Sequence, residues 1–125
     1  ATQGYHSAIV FWPEYLNSLK CSFNDYLEFK NKIEKIKKVP LLLIDDIGAE
    51  ANTSWSRDEI LMPILQYRMD SSLPTFFTSN CTLKELETHF SNSKSGIEEV
   101  KSRRIIERIK QLTEDIKLIS DNLRK

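Results

Sequence analysis

Apolar positions along the chain follow two rhythms: short unbroken runs, and longer stripes at helical spacing. The strongest run is Leu41-Leu42-Leu43-Ile44. Four consecutive large apolar residues leave no polar face, so the run predicts a central strand of a parallel sheet covered on both sides by helices. Ala8-Ile9-Val10-Phe11-Trp12, a β-branched and aromatic cluster, predicts a second buried strand. Leu73-Pro74-Thr75-Phe76-Phe77-Thr78-Ser79-Asn80 predicts a third, with its proline at the start, where a ladder donor can be spared.

Between these runs the spacing is helical. Pro13 opens a helix in which Tyr15, Leu16, Leu19 and Phe23 recur. Asn24 or Asp25 can cap a second, with Tyr26, Leu27, Phe29, Ile33 and Ile36 on its apolar side. Ile60, Leu61, Ile64, Leu65 and Met69 form a stripe that Pro63 interrupts. An interior proline loses one hydrogen bond and sets its ring against the Glu59 carbonyl, a cost of about 3 kcal/mol, so a kink or two short helices are expected. Thr82 with Glu85 makes a capping box for a short helix through Phe90, and Ser91 to Gly96 reads as a polar loop. A last helix is expected over 97–112, with Ile97, Val100, Ile105, Ile109 and Leu112 on the core side, and 115–119 could add a short fourth strand. Strands alternating with helices place the chain in the α/β class.

The polar residues at the ends of these elements carry the chemistry. Asp45 and Asp46 follow the last apolar residue of the central strand, at the carboxyl edge where open α/β sheets place ligands, and Gly48 allows a sharp turn after them. Asp-Asp-x-Gly also fits ordinary turn chemistry. On a buried strand, however, the pair forms a Walker B arrangement, in which the first acid holds Mg²⁺ and the second orients the attacking water. Lys101, Arg104 and Arg108 share one face of the last helix, as solvated charges or as a presented row. Lys32, Lys35 and Lys38 on the second helix could meet a phosphate backbone, with a solvated face as the alternative.

Composition narrows the class. The 125 residues suffice for one core, with about two-thirds of the unfolded surface buried. Lysine plus arginine and aspartate plus glutamate each number 18, so net charge points to neither a nucleic-acid nor a membrane-surface protein, and any basic site must be local. Cys21 and Cys81, two and far apart, suit a reducing compartment. With no apolar run of membrane-spanning length and no secretory opening, the chain reads as cytoplasmic.

Taken together, Leu42-Leu43-Ile44-Asp45-Asp46-Ile47-Gly48-Ala49-Glu50, Thr53-Ser54-Trp55 with Arg57-Asp58, Ile64-Leu65-Gln66-Tyr67-Arg68 and Thr75-Phe76-Phe77-Thr78-Ser79-Asn80 closely resemble the AAA+ ATPase domain of bacterial replicative helicase loaders, in the DnaI branch of the DnaC/DnaI primosomal proteins. The resemblance spans nearly the whole chain. It implies a parallel-sheet P-loop NTPase fold, ATP and Mg²⁺ as cofactors, and ATP-dependent loading of a replicative DNA helicase in primosome assembly. It makes Asp45 the magnesium acid, Asp46 the acid beside the attacking water, and Asn80 the sensor 1 residue. Arg104-Ile105-Ile106-Glu107-Arg108 matches the segment whose arginine finger reaches the nucleotide of an adjacent subunit, with Arg108 the first choice and Arg104 the second. Arg124 resembles sensor 2. Related loaders also meet single-stranded DNA through helices inserted where Lys32, Lys35 and Lys38 lie.

One departure is large, since G-x-x-x-x-G-K-[ST] occurs nowhere in the chain. The family's first strand and P-loop fall immediately before Ala1, so residues 1–125 are expected to be a single partial AAA+ domain, the carboxyl-terminal part of a longer loader. Two other readings stay open: a non-catalytic AAA+ adaptor that binds a helicase or an inhibitor protein, and a transposition-helper ATPase. A receiver domain fits poorly, because its paired acids would follow the first strand.

Overall fold

The computed structural model describes residues 7–93 and 96–113. Strand β1 (Ser7–Phe11) leads into helices α1 (Trp12–Cys21) and α2 (Tyr26–Lys38), and these return the chain to β2 (Leu41–Asp45). A π-helical segment (Trp55–Leu61) runs directly into α3 (Met62–Asp70) and then to β3 (Thr75–Phe77). The three strands are parallel in the order β1-β2-β3, with Ile9 opposite Leu43 and Leu43 opposite Phe76. The apolar run is therefore the central strand. Helix α4 (Leu83–Ser91), a small antiparallel pair of β4 (Asn92–Ser93) and β5 (Gly96–Ile97), and α5 (Glu99–Leu112) complete the described chain. The pair β4–β5 stands where a polar loop was expected.

Alternation decides which face is covered. Leu42, Ile44 and Phe77 are buried and pack in one core with Trp12, Leu16, Leu19, Ile60, Ile64 and Ile105, and Thr75 is buried on the same face. The opposite face carries Ile9 at 72% and Leu41 at 39% exposure, so β2 is closed on one side and partly open on the other, not buried on both. Trp12 belongs to α1 and not to β1: Pro13 holds its own φ at the helical value, the helix starts one residue earlier, and the indole stacks on Tyr15 with ring centroids 5.4 Å apart. Ile97 and Val100, expected on the core side, are exposed: β5 takes Ile97 out of the helix, and Val100 stands in the first turn of α5, which begins at Glu99.

The expected disturbance at Pro63 takes a definite form. Proline has no N–H to donate to the Glu59 carbonyl, and the turns before it are widened, so that Met62 N–H reaches back five residues to Arg57 O. The helix continues without a break into α3.

Among the described residues, Arg57 and Arg68 are fully buried. Arg68 Nε donates to Thr75 Oγ1 at 2.7 Å, Nη1 donates to the carbonyls of Ile36, Lys37 and Val39, and Nη2 donates to that of Pro74 at 2.7 Å. One side chain thus closes the end of α2 and fixes where β2 and β3 begin. Burial pushes its pKa down to about 10, which leaves it charged at neutral pH. Arg57 instead has acid partners: Asp58 through Nε at 2.7 Å, Glu98 through Nη2, and the Phe90 carbonyl through Nη1 at 2.9 Å. Its hydrogen bonds hold the Asp58 and Glu98 carboxyls below the usual carboxylate range.

Lys32 is an internal strut more than a surface charge. Its ammonium donates to Ser18 Oγ and Ser22 Oγ at 2.7 and 2.8 Å, and Tyr15 donates to the Lys32 carbonyl, so α1 and α2 are tied together. The 115–119 segment, which could add a short fourth strand, lies outside the described residues.

Candidate functional site

Beyond the ladder, the carboxyl ends of β2 and β3 are joined by a second set of bonds. Thr78 N–H donates to Ile44 O and Ile47 N–H donates to Thr78 O, both at 3.0 Å. The Thr78 hydroxyl accepts from Asp46 N–H at 2.9 Å and donates to Asp45 Oδ1. Ser79 Oγ donates to Ile47 O at 2.6 Å and accepts from Cys81 N–H. One threonine therefore sets the position of both acids, one through its side chain and the other through its backbone.

The loop after them is strained and tightly packed. Asp46 sits at φ 63° and Gly48 at φ 100°, both in the left-handed region. A Cβ on Gly48 would stand 2.7 Å from Leu86 Cδ2 of α4. The Gly48 N–H donates to Glu50 Oε1 at 2.8 Å, and the buried Glu50 carboxylate meets His89 Nε2 at 3.3 Å. These contacts seat the acid loop on α4.

A carboxylate offers about four lone-pair positions, and the Thr78 hydroxyl uses one on Asp45. The remaining oxygens suit a hard cation, and Mg²⁺ characteristically takes one or two carboxylates and completes its shell with phosphate oxygens and water. Among the described residues no group of three or more His, Cys, Asp or Glu side chains could hold a metal ion by itself, so a cation at Asp45 would share its shell with a ligand.

The other site residues expected from sequence are distributed as follows. Asn80 is exposed in the loop after β3, on the same edge as Asp45. Arg104 is exposed on α5, whereas Arg108 is half-buried and hydrogen-bonded to Gln66 of α3. Lys35 is exposed, Lys38 pairs with Glu34 at 3.1 Å, and Lys32 is engaged within α1–α2. Arg124 lies outside the described residues. Thr78 and Glu50 carry roles that the spacing of apolar residues does not disclose. The available signal was a hydroxyl residue at the strand end, two positions before Asn80.

No family model matches the chain. It is 46% identical over 125 residues to the replicative helicase loader DnaI of Bacillus subtilis (strain 168), covering 99% of this chain and 40% of that protein. The match is to the carboxyl-terminal part of a DnaI-type helicase loader. A crystal structure of DnaI superposes with a TM-score of 0.76 at 46% identity, over 88% of this chain and 56% of that one. A candidate primosome component from Streptococcus pyogenes serotype M3 gives a TM-score of 0.65 at 32% identity, over 89% and 50%. The chain thus spans between two-fifths and just over half the length of these relatives. The parallel α/β sheet agrees with theirs, as the P-loop NTPase resemblance implied, and among the described residues no helix is long and apolar enough to cross a membrane.

Proposed function

We propose that the chain supplies the strand-end acid half of a Mg-ATP site in a protein that loads a replicative helicase during primosome assembly. The observation that supports this most is the Thr78 hydroxyl bridging β2 and β3, which holds Asp45 at the sheet's carboxyl edge with oxygens to spare. In this reading residues 1–125 form part of one AAA+ domain, and the phosphate cradle lies in sequence outside them.

Asp45 would hold Mg²⁺, which when bound neutralises charge that develops between the β- and γ-phosphates. Asp46 accepts a hydrogen bond from the attacking water, and Asn80 orients the same water through its amide. Arg108, with Arg104 as the alternative, reaches the nucleotide of an adjacent subunit, and Arg124 reaches the nucleotide of its own. The chain's partners are then a replicative helicase, further copies of itself through the arginine-bearing face of α5, and single-stranded DNA along the lysines of α2. Of these lysines, Lys35 is the most open to a backbone phosphate.

The experiment mixes Arg108→Ala with Asp45→Asn, both in a protein that joins this chain to the remaining length of a DnaI-type loader. Each should hydrolyse ATP poorly alone, and co-assembly should restore activity by pairing an intact acid site with an intact arginine. Absence of recovery in mixtures shown by sedimentation to co-assemble would favour the non-catalytic adaptor.

A further inference from the structure

Gln66 of α3 and Arg108 of α5 meet in a contact that has a direction. Arg108 Nε donates to Gln66 Oε1 at 2.9 Å, and its Nη1 donates to the Arg104 carbonyl at 3.4 Å. Gln66 Nε2 in turn donates to both carboxylate oxygens of Asp70, at 3.0 and 3.1 Å. A side-chain amide has a donor end and an acceptor end. By taking the donor end, Asp70 turns the acceptor end toward Arg108. The neighbouring residues Leu65 and Ile109 are buried at 0% and 1% exposure, so both helices are fixed by the core at the point where the two side chains leave it.

The two groups that bond Arg108 directly are neutral, with the Asp70 carboxylate one amide removed, and this matters chemically. A carboxylate on Arg108 would orient the guanidinium but would also offset its charge and compete with any phosphate. An amide oxygen orients it and leaves the positive charge in place. The two bonds use Nε–H and one Nη1–H, and a guanidinium carries five N–H donors, so the Nη2 end retains the means to grip a phosphate. Lys101, earlier on the same helix, has the opposite arrangement, paired with Asp58 and Glu98 at 3.3 and 3.6 Å.

We propose that Gln66 is a positioning residue for Arg108, holding the guanidinium in a single orientation so that its outer edge meets the phosphate of a nucleotide on a neighbouring copy of the chain. This rests on the assignment of Arg108 as a finger acting between subunits. An arginine set in place beforehand loses less rotamer freedom when the charge it meets develops, which is the source of the rate gain.

The test uses Gln66→Ala, Gln66→Glu, Arg108→Ala and the Gln66→Ala/Arg108→Ala pair in the protein that carries the full length of a DnaI-type loader. Steady-state hydrolysis by the assembled protein, nucleotide affinity, thermal melting and the ¹⁵N signal of Arg108 Nε–H are read in parallel. Gln66→Ala should lower kcat by about tenfold with nucleotide affinity and melting unchanged, since one hydrogen bond to a charged group is lost. It should also shift and broaden the Arg108 Nε–H signal, and the double variant should be no slower than Arg108→Ala. Gln66→Glu should keep the Nε–H signal sharp and still lower kcat, because it adds the opposing charge. Wild-type kcat in Gln66→Ala beside an impaired Arg108→Ala would overturn the positioning role alone, as would additive losses in the double variant. Wild-type kcat in Arg108→Ala would overturn the finger assignment and the positioning role with it.

Discussion

The two ends of the parallel sheet are held by opposite means. Where β2 and β3 begin, one buried guanidinium does the holding, as Arg68 donates to four carbonyls and the Thr75 hydroxyl at 0% exposure. Where they end, hydroxyl groups do it: Thr78 and Ser79 bridge the strands, two carboxylates stay partly open, and Asp46 and Gly48 sit at positive φ. The first end spends its polar capacity inward. The second keeps oxygens in reserve and accepts backbone strain, as expected of the edge where open α/β sheets take ligands. With the acids read as the Mg-ATP half-site proposed above, stability and readiness to bind would be separated along the length of the same strands.

The comparison can be broken at either end. Arg68→Met should cost about 3–5 kcal/mol in urea unfolding followed by tryptophan fluorescence, because it strands buried carbonyls that water reaches poorly. A loss under about 1 kcal/mol would mean that those carbonyls find other donors. Asp45→Asn should do the reverse, lowering hydrolysis by the complete protein about a hundredfold while moving stability by less than about 1 kcal/mol. Thr78→Val lies between them. It removes the hydroxyl that serves both acids and should cost about 1–2 kcal/mol. Thr78→Ser should recover most of that, and a serine variant as weak as the valine one would show that the methyl group matters more.

The Arg57 network, away from both sheet ends, sharpens the contrast through pH. Arg57 holds the Asp58 and Glu98 carboxyls below their ordinary values near 4. Folded values below unfolded ones mean stability that is fully present above about pH 4 and is lost as pH falls through the folded values. Acid titration of the fold should therefore show its steepest loss below about pH 4. Lys101→Ala, which removes an exposed partner of both acids, should shift stability at pH 7 by less than about 0.5 kcal/mol.

Much of the fold was legible because apolar spacing is a local signal. The run 41–44, the stripe from Ile60 to Met69 and the Thr82–Glu85 box each appear as elements of the expected kind. Two failures occur where one element takes residues from its neighbour, as Pro13 draws Trp12 into α1 and β5 draws Ile97 out of α5, and a third is the partly open face of β2, which an unbroken apolar run does not disclose. The arginine clamps stay hidden from an apolar pattern because charge ordinarily marks the surface. Helical spacing nevertheless places them inside, since Arg57 stands three residues before Ile60 and Arg68 four after Ile64, one at each end of the buried stripe. At the site, the paired acids stood out through their place after an apolar run. Thr78, Glu50 and Gln66 act across the chain, at separations no local pattern records.

For anyone building a substitution library over the acid loop, Gly48 sets the narrowest gate. Two independent constraints meet there, the left-handed backbone and the Leu86 methyl that would lie 2.7 Å from any Cβ. Either alone leaves alternatives, as Asp46 illustrates: at φ 63° asparagine or glycine could share its backbone conformation, so variants at 46 vary the chemistry and retain the loop. At 48 the two constraints intersect on a single amino acid. A saturation screen should therefore return a graded list at 46 and only glycine at 48, and a side chain forced in at 48 would press on α4 before it reached any ligand.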